Sequence, residues 1–219
     1  MRAVIVAGGD ADPGDLEHLL PGDLLIAADG GAGALIAAGR RPAVLVGDLD
    51  SVPGTLADQL AADGVVIERH PEDKEASDLE LALERAISDG ARSILIIGAF
   101  GGARLDHALA AALLLADRRY LAIDIRARHR HSTVRVAHPE RDVDLEGEVG
   151  DLVTLLPVAG DAQGVTTTGL RWPLSGATLS LGRSRGLSNE VVTSPASVML
   201  KHGAMLVIET RRTGATEND

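Results

Sequence analysis

The chain of 219 residues has no cysteine. That excludes a disulfide framework, a thiolate nucleophile and a cysteine-ligated zinc. Aromatic residues are almost missing too, with one Trp, one Tyr and one Phe, so a hydrophobic content of 45% has to build its core from Ala, Val, Leu and Ile. Positive charge is scarce: 21 Lys and Arg face 32 Asp and Glu, a formal net charge of −11. Nucleic acid is therefore not an expected partner, because its phosphates need a basic surface. A negative field suits a bound metal or a cationic ligand instead. No apolar run approaches the roughly 18–20 residues of a membrane span. Met1-Arg2 leads directly into Ala3-Val4-Ile5-Val6, which reads as a strand and not as a signal peptide. The expectation is a cytoplasmic protein with neither a membrane nor a nucleic-acid partner. The P-loop pattern Gly-x-x-x-x-Gly-Lys-Ser/Thr is missing as well.

What is present is alternation. Short apolar runs at 3–7, 24–28, 43–46, 65–68, 93–97 and 121–125 predict strands. Between them lie helical patterns ending near 20, 38 and 62, and a further helix over about 105–118. In the clearest helix, Leu79, Ala82, Leu83, Ala86 and Ile87 form a buried stripe at 3.6-residue spacing. Ser77 and Glu80 supply a capping box at its start and Gly90 its stop. Such alternation predicts an α/β amino-terminal domain with a mostly parallel sheet and helices on both faces. From about Arg126 the texture changes. Residues 126–131 read as a basic solvated connector. Strand-like pieces follow at 133–137, 152–157, 164–168, 177–181, 191–193, 197–200 and 204–209, divided by Gly, Pro and Asp. They predict an all-β sandwich carboxyl-terminal domain. The expected division is 1–128, 129–212 and a disordered tail over 213–219.

In parallel sheets ligands bind beyond the carboxyl ends of the strands. Asp10, Asp29, Asp48, Asp50, Glu72, Asp73, Lys74, Asp78 and Asp106 all fall there. In Gly47-Asp48-Leu49-Asp50-Ser51 two carboxylates stand one residue apart, a pattern that suits Mg²⁺ completed by water and phosphate oxygens. The plainer reading is a polar turn with Ser51 as a helix cap. Gly30-Gly31 and Gly101-Gly102 can let backbone N–H groups approach phosphates, or simply make tight turns. Lys74, one of two lysines, is a surface residue or a point charge for a transferring phosphate. Asp78 suits a helix dipole as well as a metal. Arg104 ahead of Asp106-His107 can grip phosphate with a bidentate fork. In the second half, Trp172 beside Arg171 is a core residue or a flat face for a cationic ring, and Ser188-Asn189 is a turn or a ligand contact. A strand ending in Asp-x-Asp also fits an aspartyl nucleophile of the haloacid-dehalogenase type, although that reading expects it on the first strand.

Taken together these stretches resemble the thiamine pyrophosphokinase (thiamine diphosphokinase) family. The likeness rests on Asp29–Ala32, Gly47–Ser51, Lys74-Glu75-Ala76-Ser77-Asp78, Gly101–His107, Gly169–Leu174 and Gly186–Glu190, in order along nearly the whole chain. It implies transfer of pyrophosphate from ATP to the thiamine hydroxyl, giving thiamine diphosphate and AMP, with Mg²⁺ and a homodimer whose active site lies between subunits. Carried onto this chain, it implies Asp48, Asp50, Glu75 and Asp78 as metal ligands. Either Asp48 or Asp50 orients or deprotonates the hydroxyl. Lys74, Arg104 and Asp106 serve the phosphates. Asp29, Gly30, Gly31, Ser51, Gly101, Gly102 and His107 bind the nucleotide, and Trp172, Ser188 and Asn189 bind thiamine. Three positions depart from the family pattern: Glu75 for Asp, Ala103 as an added residue in the glycine turn, and Ala111 where Asn commonly follows. A non-catalytic, ligand-binding relative is the alternative these departures keep open.

Overall fold

The computed structural model describes residues 1–212. The expected tail over 213–219 lies outside the described residues. Two compact units are present: Met1–Leu114 with Ala122–Arg130, and Leu115–Leu121 with the described part of His131–Asp219.

The first unit runs β1 (Arg2–Val6), α1 (Pro13–Leu16), β2 (Leu24–Ala28), α2 (Gly31–Ala37), β3 (Val44–Gly47), α3 (Gly54–Ala62), β4 (Val66–Arg69), α4 (Asp78–Ser88), β5 (Ser93–Ile97), α5 (Leu105–Leu115) and β6 (Asp124–His129). Its strands lie in the order β6-β5-β1-β2-β3-β4, every pair parallel. On one face Val4, Val6, Ala27, Leu45 and Ile97 pack with Ala32 and Leu35 of α2 and Ala57 and Leu60 of α3. Ile5, Ile26 and Val46 alternate to the other face. There α4 lies against β1, β2 and β3, burying Ala82, Leu83 and Ala86 as its stripe predicts. Ser77 caps α4 by accepting the Glu80 N–H at 3.2 Å. Strand order reverses at β1, so connections leave β1 and β5 in opposite directions and open a crevice at their carboxyl ends.

Two expectations need correction. Residues 126–131 are not a free connector, because 124–129 form β6 and pair with β5. Ile125 and Ala127 bury between Arg126 and Arg128, and the arginines masked that alternation. The fully buried Asp15 anchors the strand end, accepting the Arg130 N–H at 2.8 Å and Arg128 Nε at 3.4 Å. The fifth helix also stops early, at Leu115. Asp117 then caps a single 3₁₀ turn, Arg118–Tyr120, by accepting the Arg119 N–H at 2.8 Å.

The second unit holds two antiparallel sheets. One is ordered β12-β9-β14-β7, from β7 (Ser132–Ala137), β9 (Leu152–Pro157), β12 (Asn189–Glu190) and β14 (Met205–Thr210). The other is β11-β10-β13-β8, from β8 (Val143–Leu145), β10 (Ala162–Thr168), β11 (Ala177–Leu179) and β13 (Ala196–Met199). Val153, Leu155, Met205 and Val207 of the first share a core with Val143, Val165, Leu179 and Val198 of the second, which makes a sandwich. The three-residue β8 was not legible as a strand. Glu209, buried on β14, pairs with Arg135 of β7 and accepts N–H bonds from Glu146 and Gly147 at 2.7 and 2.9 Å.

Gly31 fixes how closely α2 approaches β1: a Cβ there would lie 1.9 Å from the Val6 carbonyl oxygen. Alanine improves helix propensity by up to about 1 kcal/mol. The overlap outweighs this, and overpacking costs about 1–3 kcal/mol or more. Gly31→Ala is therefore expected to lower the urea midpoint; an unchanged or higher midpoint would contradict the packing described.

Candidate active site

Three aspartates meet beyond the carboxyl ends of adjacent strands. Asp29 follows β2 in a left-handed backbone conformation (φ 47°), its N–H bonded to the Val46 carbonyl at 2.8 Å. Asp48 follows β3. Asp78 opens α4, held there by the Ser77 cap. Between them sits Gly47 at φ 150°, where a Cβ would come within 3.2 Å of Asp78 Oδ1 and 3.3 Å of Asp29 Cβ. A residue without a side chain is what lets the carboxylates gather. Each offers an oxygen within 4.8 Å of the others. Lys74 answers this charge, its Nζ lying 2.9 Å from Asp48 Oδ2 and 3.0 Å from Asp78 Oδ1. Asp29 Oδ1 is buried without a hydrogen bond directed at it, and the ammonium of Lys74 is the one donor facing the buried Asp78 Oδ1.

The electrostatics follow from these contacts. The hydrogen bond from Lys74, with one from the Asp50 N–H, holds the Asp48 carboxyl below its ordinary value despite some desolvation. Burial pushes Asp78 above its ordinary value; Lys74 opposes this, and repulsion from Asp48 and Asp29 adds to it. Burial alone would lower Lys74, but its bonds to Asp48 and Asp78 outweigh that and raise it.

The surrounding cavity, about 840 Å³, lies wholly in the first unit. Leu49 adopts φ 66° and is 6% exposed, so its side chain turns into the core. Asp48 and Asp50 on either side of it both line the cavity. Asp50 is exposed; its N–H donates to Asp48 Oδ1 at 3.2 Å, and Ser51 Oγ donates to its own Oδ1 at 2.9 Å. The converging set is thus Asp29, Asp48 and Asp78, not Asp48, Asp50, Glu75 and Asp78. Asp50 and Glu75 line the same cavity but stand exposed outside the trio. Asp29, expected to contact nucleotide, is the member of the trio that sequence reasoning did not place among the candidate metal ligands. The sequence signal was its place at the end of β2, matching that of Asp48 at the end of β3.

The glycines also divide differently from expectation. Gly101 and Gly102, at φ 88° and 79°, line the cavity, as do Gly8, Gly9 and Gly98 at the β1 and β5 ends. Gly30 and Gly31 do not: Gly31 packs on Val6, and Gly30 lies against Gly8. Gly8 and Gly9 are the backbone sites that sequence reasoning did not assign. At the rim, Arg104 and Asp106 form a salt bridge of 2.6 Å with both side chains more than half exposed. Arg104 holds the Asp106 carboxyl far below the ordinary carboxylate range. His107 is exposed and lines the cavity beside them.

In the second unit, Trp172 is 58% exposed and the Arg171 guanidinium lies 5.8 Å from its ring centroid. The core reading of Trp172 is thereby corrected. Asn189 is buried, and its amide clamps the Trp172 backbone. Oδ1 accepts the Trp172 and Glu190 N–H groups at 3.1 and 2.9 Å, and Nδ2 donates to the Trp172 carbonyl at 2.8 Å. Both Oδ1 lone pairs and one Nδ2 proton of Asn189 thus hold the Trp172 turn. Ser188 takes φ 55°, its N–H bonded to Thr154 Oγ1 at 3.0 Å.

Clustered hard oxygen donors, an ammonium group and glycine-lined backbone at strand ends are the equipment of a kinase-type transferase. The family models make this specific: one described as thiamin pyrophosphokinase, catalytic domain, matches residues 17–126, and one described as thiamin pyrophosphokinase, vitamin B1 binding domain, matches 138–205. The chain belongs to the thiamin pyrophosphokinase family. It is 29% identical over 210 residues to the thiamine pyrophosphokinase of Bacillus subtilis (strain 168), covering 93% of this chain and 96% of that one. The fold is similar to the crystal structure of thiamine pyrophosphokinase from Bacillus subtilis, with a TM-score of 0.86, 27% identity, and coverage of 97% and 100%. It is also similar to that of thiamin pyrophosphokinase from Geobacillus thermodenitrificans, with a TM-score of 0.82, 28% identity, and coverage of 99% and 100%.

A carboxyl whose folded pKa is raised favours the fold below its unfolded pKa and loses that contribution as pH rises through the folded value. Asp78→Asn mimics the protonated form and escapes the loss. Its melting temperature is expected to exceed the parent's at pH 7–8, with the gap closing as the pH falls through the raised pKa of Asp78. Melts that stay parallel across pH would contradict this.

Proposed function

We propose that the chain transfers pyrophosphate from ATP to the hydroxyl of thiamine, giving thiamine diphosphate and AMP. The observation that carries the reading is the Asp29–Asp48–Asp78 trio with Lys74, in a chain of this family. The trio's donor chemistry suits Mg²⁺: three carboxylate oxygens lie close together, and the buried Asp29 Oδ1 lacks any hydrogen-bond donor. Asp29, Asp48 and Asp78 would hold the ion, with Asp50 and Glu75 near enough to the cavity to act through water. When bound, Mg²⁺ would neutralise charge on the triphosphate. The residues do the remaining work. Backbone N–H groups of the glycine turns admit phosphate oxygens closely, and Lys74 and Arg104 balance their charge. Asp106 and Ser51 orient these groups through their hydrogen bonds to Arg104 and Asp50. Asp50 is not bound by Lys74 and faces solvent, which favours it over Asp48 for accepting the hydroxyl proton. As that oxygen attacks the β-phosphorus, the bond to the α-phosphate oxygen breaks and AMP departs.

In this reading residues 1–128 bind nucleotide and metal, and 129–212 supply the thiamine seat. Trp172, fixed by Asn189, offers its face to the thiazolium, with Ser188 nearby in sequence. A homodimer belongs to the same proposal. Leu105, Leu109 and Leu113, four apart on α5, are 72%, 58% and 59% exposed, an apolar stripe that a second copy would cover. The cytoplasm is the proposed location; no described helix is long and apolar enough to cross a membrane. The alternatives have less support. The phosphatase reading needs Asp-x-Asp on the first strand, whereas here it follows β3. Glu75 and Ala111, which kept the non-catalytic reading open, remove no member of the trio.

Purified protein with Mg²⁺, ATP and thiamine should release AMP and thiamine diphosphate in equal amounts, and AMP only when thiamine is present. Thiamine-independent AMP, or none at all, would overturn the reading. Asp48→Asn should lower kcat by on the order of 10²-fold or more while circular dichroism stays unchanged. A cation–π contact contributes about 0.5–2 kcal/mol. Trp172→Ala should therefore raise the KM for thiamine about 2- to 30-fold, with the KM for ATP little changed.

A further inference from the structure

Lys74 and a divalent ion compete for the same oxygens. Its ammonium bridges Asp48 Oδ2 and Asp78 Oδ1 at 2.9 and 3.0 Å, and its side chain is only 14% exposed. Two carboxylates of the trio are thereby compensated, while Asp29 Oδ1 stays buried without a donor. A metal ion drawing oxygens from Asp48 and Asp78 would put two cations within a few ångströms of each other, in a partly buried site where screening is weak. Lysine can leave. It is a point charge on a flexible four-carbon stem with no fixed fork geometry. Most of the residues leading into α4, including Glu72, Asp73, Glu75 and Ser77, are exposed, so the backbone beneath it is lightly packed.

We propose that Lys74 is a resident counter-cation that a divalent ion must displace, and that the phosphates arriving with the ion are the anions that receive it. This rests on the metal-site reading above and adds a coupling to it. Bare metal binds weakly because it must expel an ion pair and leave an ammonium unmatched. Metal delivered with nucleotide binds well because the displaced ammonium finds a phosphate. The same lysine holds the carboxylates in place beforehand and then moves onto the substrate.

The test is Mn²⁺ binding to the full chain without nucleotide, followed by electron paramagnetic resonance. Lys74→Met should bind Mn²⁺ about tenfold or more tightly than the parent, a factor ordinary for coupled sites, and Lys74→Arg should remain weak. Equal affinity in parent and Lys74→Met overturns the displacement while leaving the metal site standing. If neither binds Mn²⁺, with or without ATP, the metal site fails and the displacement with it. The parent protein gives a second measurement that does not depend on a variant folding. The chain has two lysines, Lys74 and Lys201, so ¹³Cε-lysine labelling yields two side-chain signals, which Lys201→Arg assigns. Mg²⁺ with ATP should shift the Lys74 signal and leave Lys201 unmoved; a Lys74 signal indifferent to Mg²⁺ with ATP overturns the proposal.

Discussion

Carboxylates repel, and the first unit brings three of them within 4.8 Å. Everything around them serves to make that tolerable. The parallel sheet delivers Asp29 and Asp48 to neighbouring strand ends, so their separation is set by strand spacing. Helix α4 delivers Asp78 in its first turn, where the helix dipole favours negative charge. Gly47 leaves the space, and Lys74 supplies the nearest positive charge. Burial, with a smaller push from Asp48 and Asp29, still raises the pKa of Asp78, and Asp29 Oδ1 is left without a donor. Perturbed carboxyls of this kind cluster at functional sites.

The second unit handles charge in the opposite way. Arg135 and Glu209 are buried together, with Glu146 and Gly147 backbone donors and the Asp144 carbonyl completing their bonds. Arg135 Nε alone is left without a partner, and the pair ties β7 and β14 to the strap after β8. Losing one partner would strand the other's charge, whereas exchanging both for apolar residues can be close to neutral. Polar density alone therefore does not mark a functional site in this chain. Unsatisfied polar density facing a cavity does.

Much of this was legible in the sequence. Alternating apolar runs gave the α/β half, and the stripe from Leu79 to Ile87 gave α4 with its Ser77 cap. The cluster of acids after strands located the site edge. What stayed hidden depends on neighbours in space. Asp29 joins the trio only because β2 lies beside β3, an adjacency that local pattern does not state. Asp50 leaves it because Leu49 takes a left-handed backbone, which a leucine rarely announces. The arginines of β6 disguised a strand whose partner for positive charge, Asp15, is more than a hundred residues away. The clamp of Asn189 on Trp172 was hidden because it closes across a stretch that includes β11.

Leu49 carries a consequence for how the enzyme can change. Its side chain belongs to the same buried apolar cluster as Leu45, Val52 and Leu60, while the acids on either side of it, Asp48 and Asp50, line the cavity. Interior packing and the lining of the cavity thus meet in one short segment. Thermostabilising the hydrophobic interior and preserving turnover are objectives that have to be optimised jointly, and an adaptive route to altered activity lies open through residues that never meet a substrate.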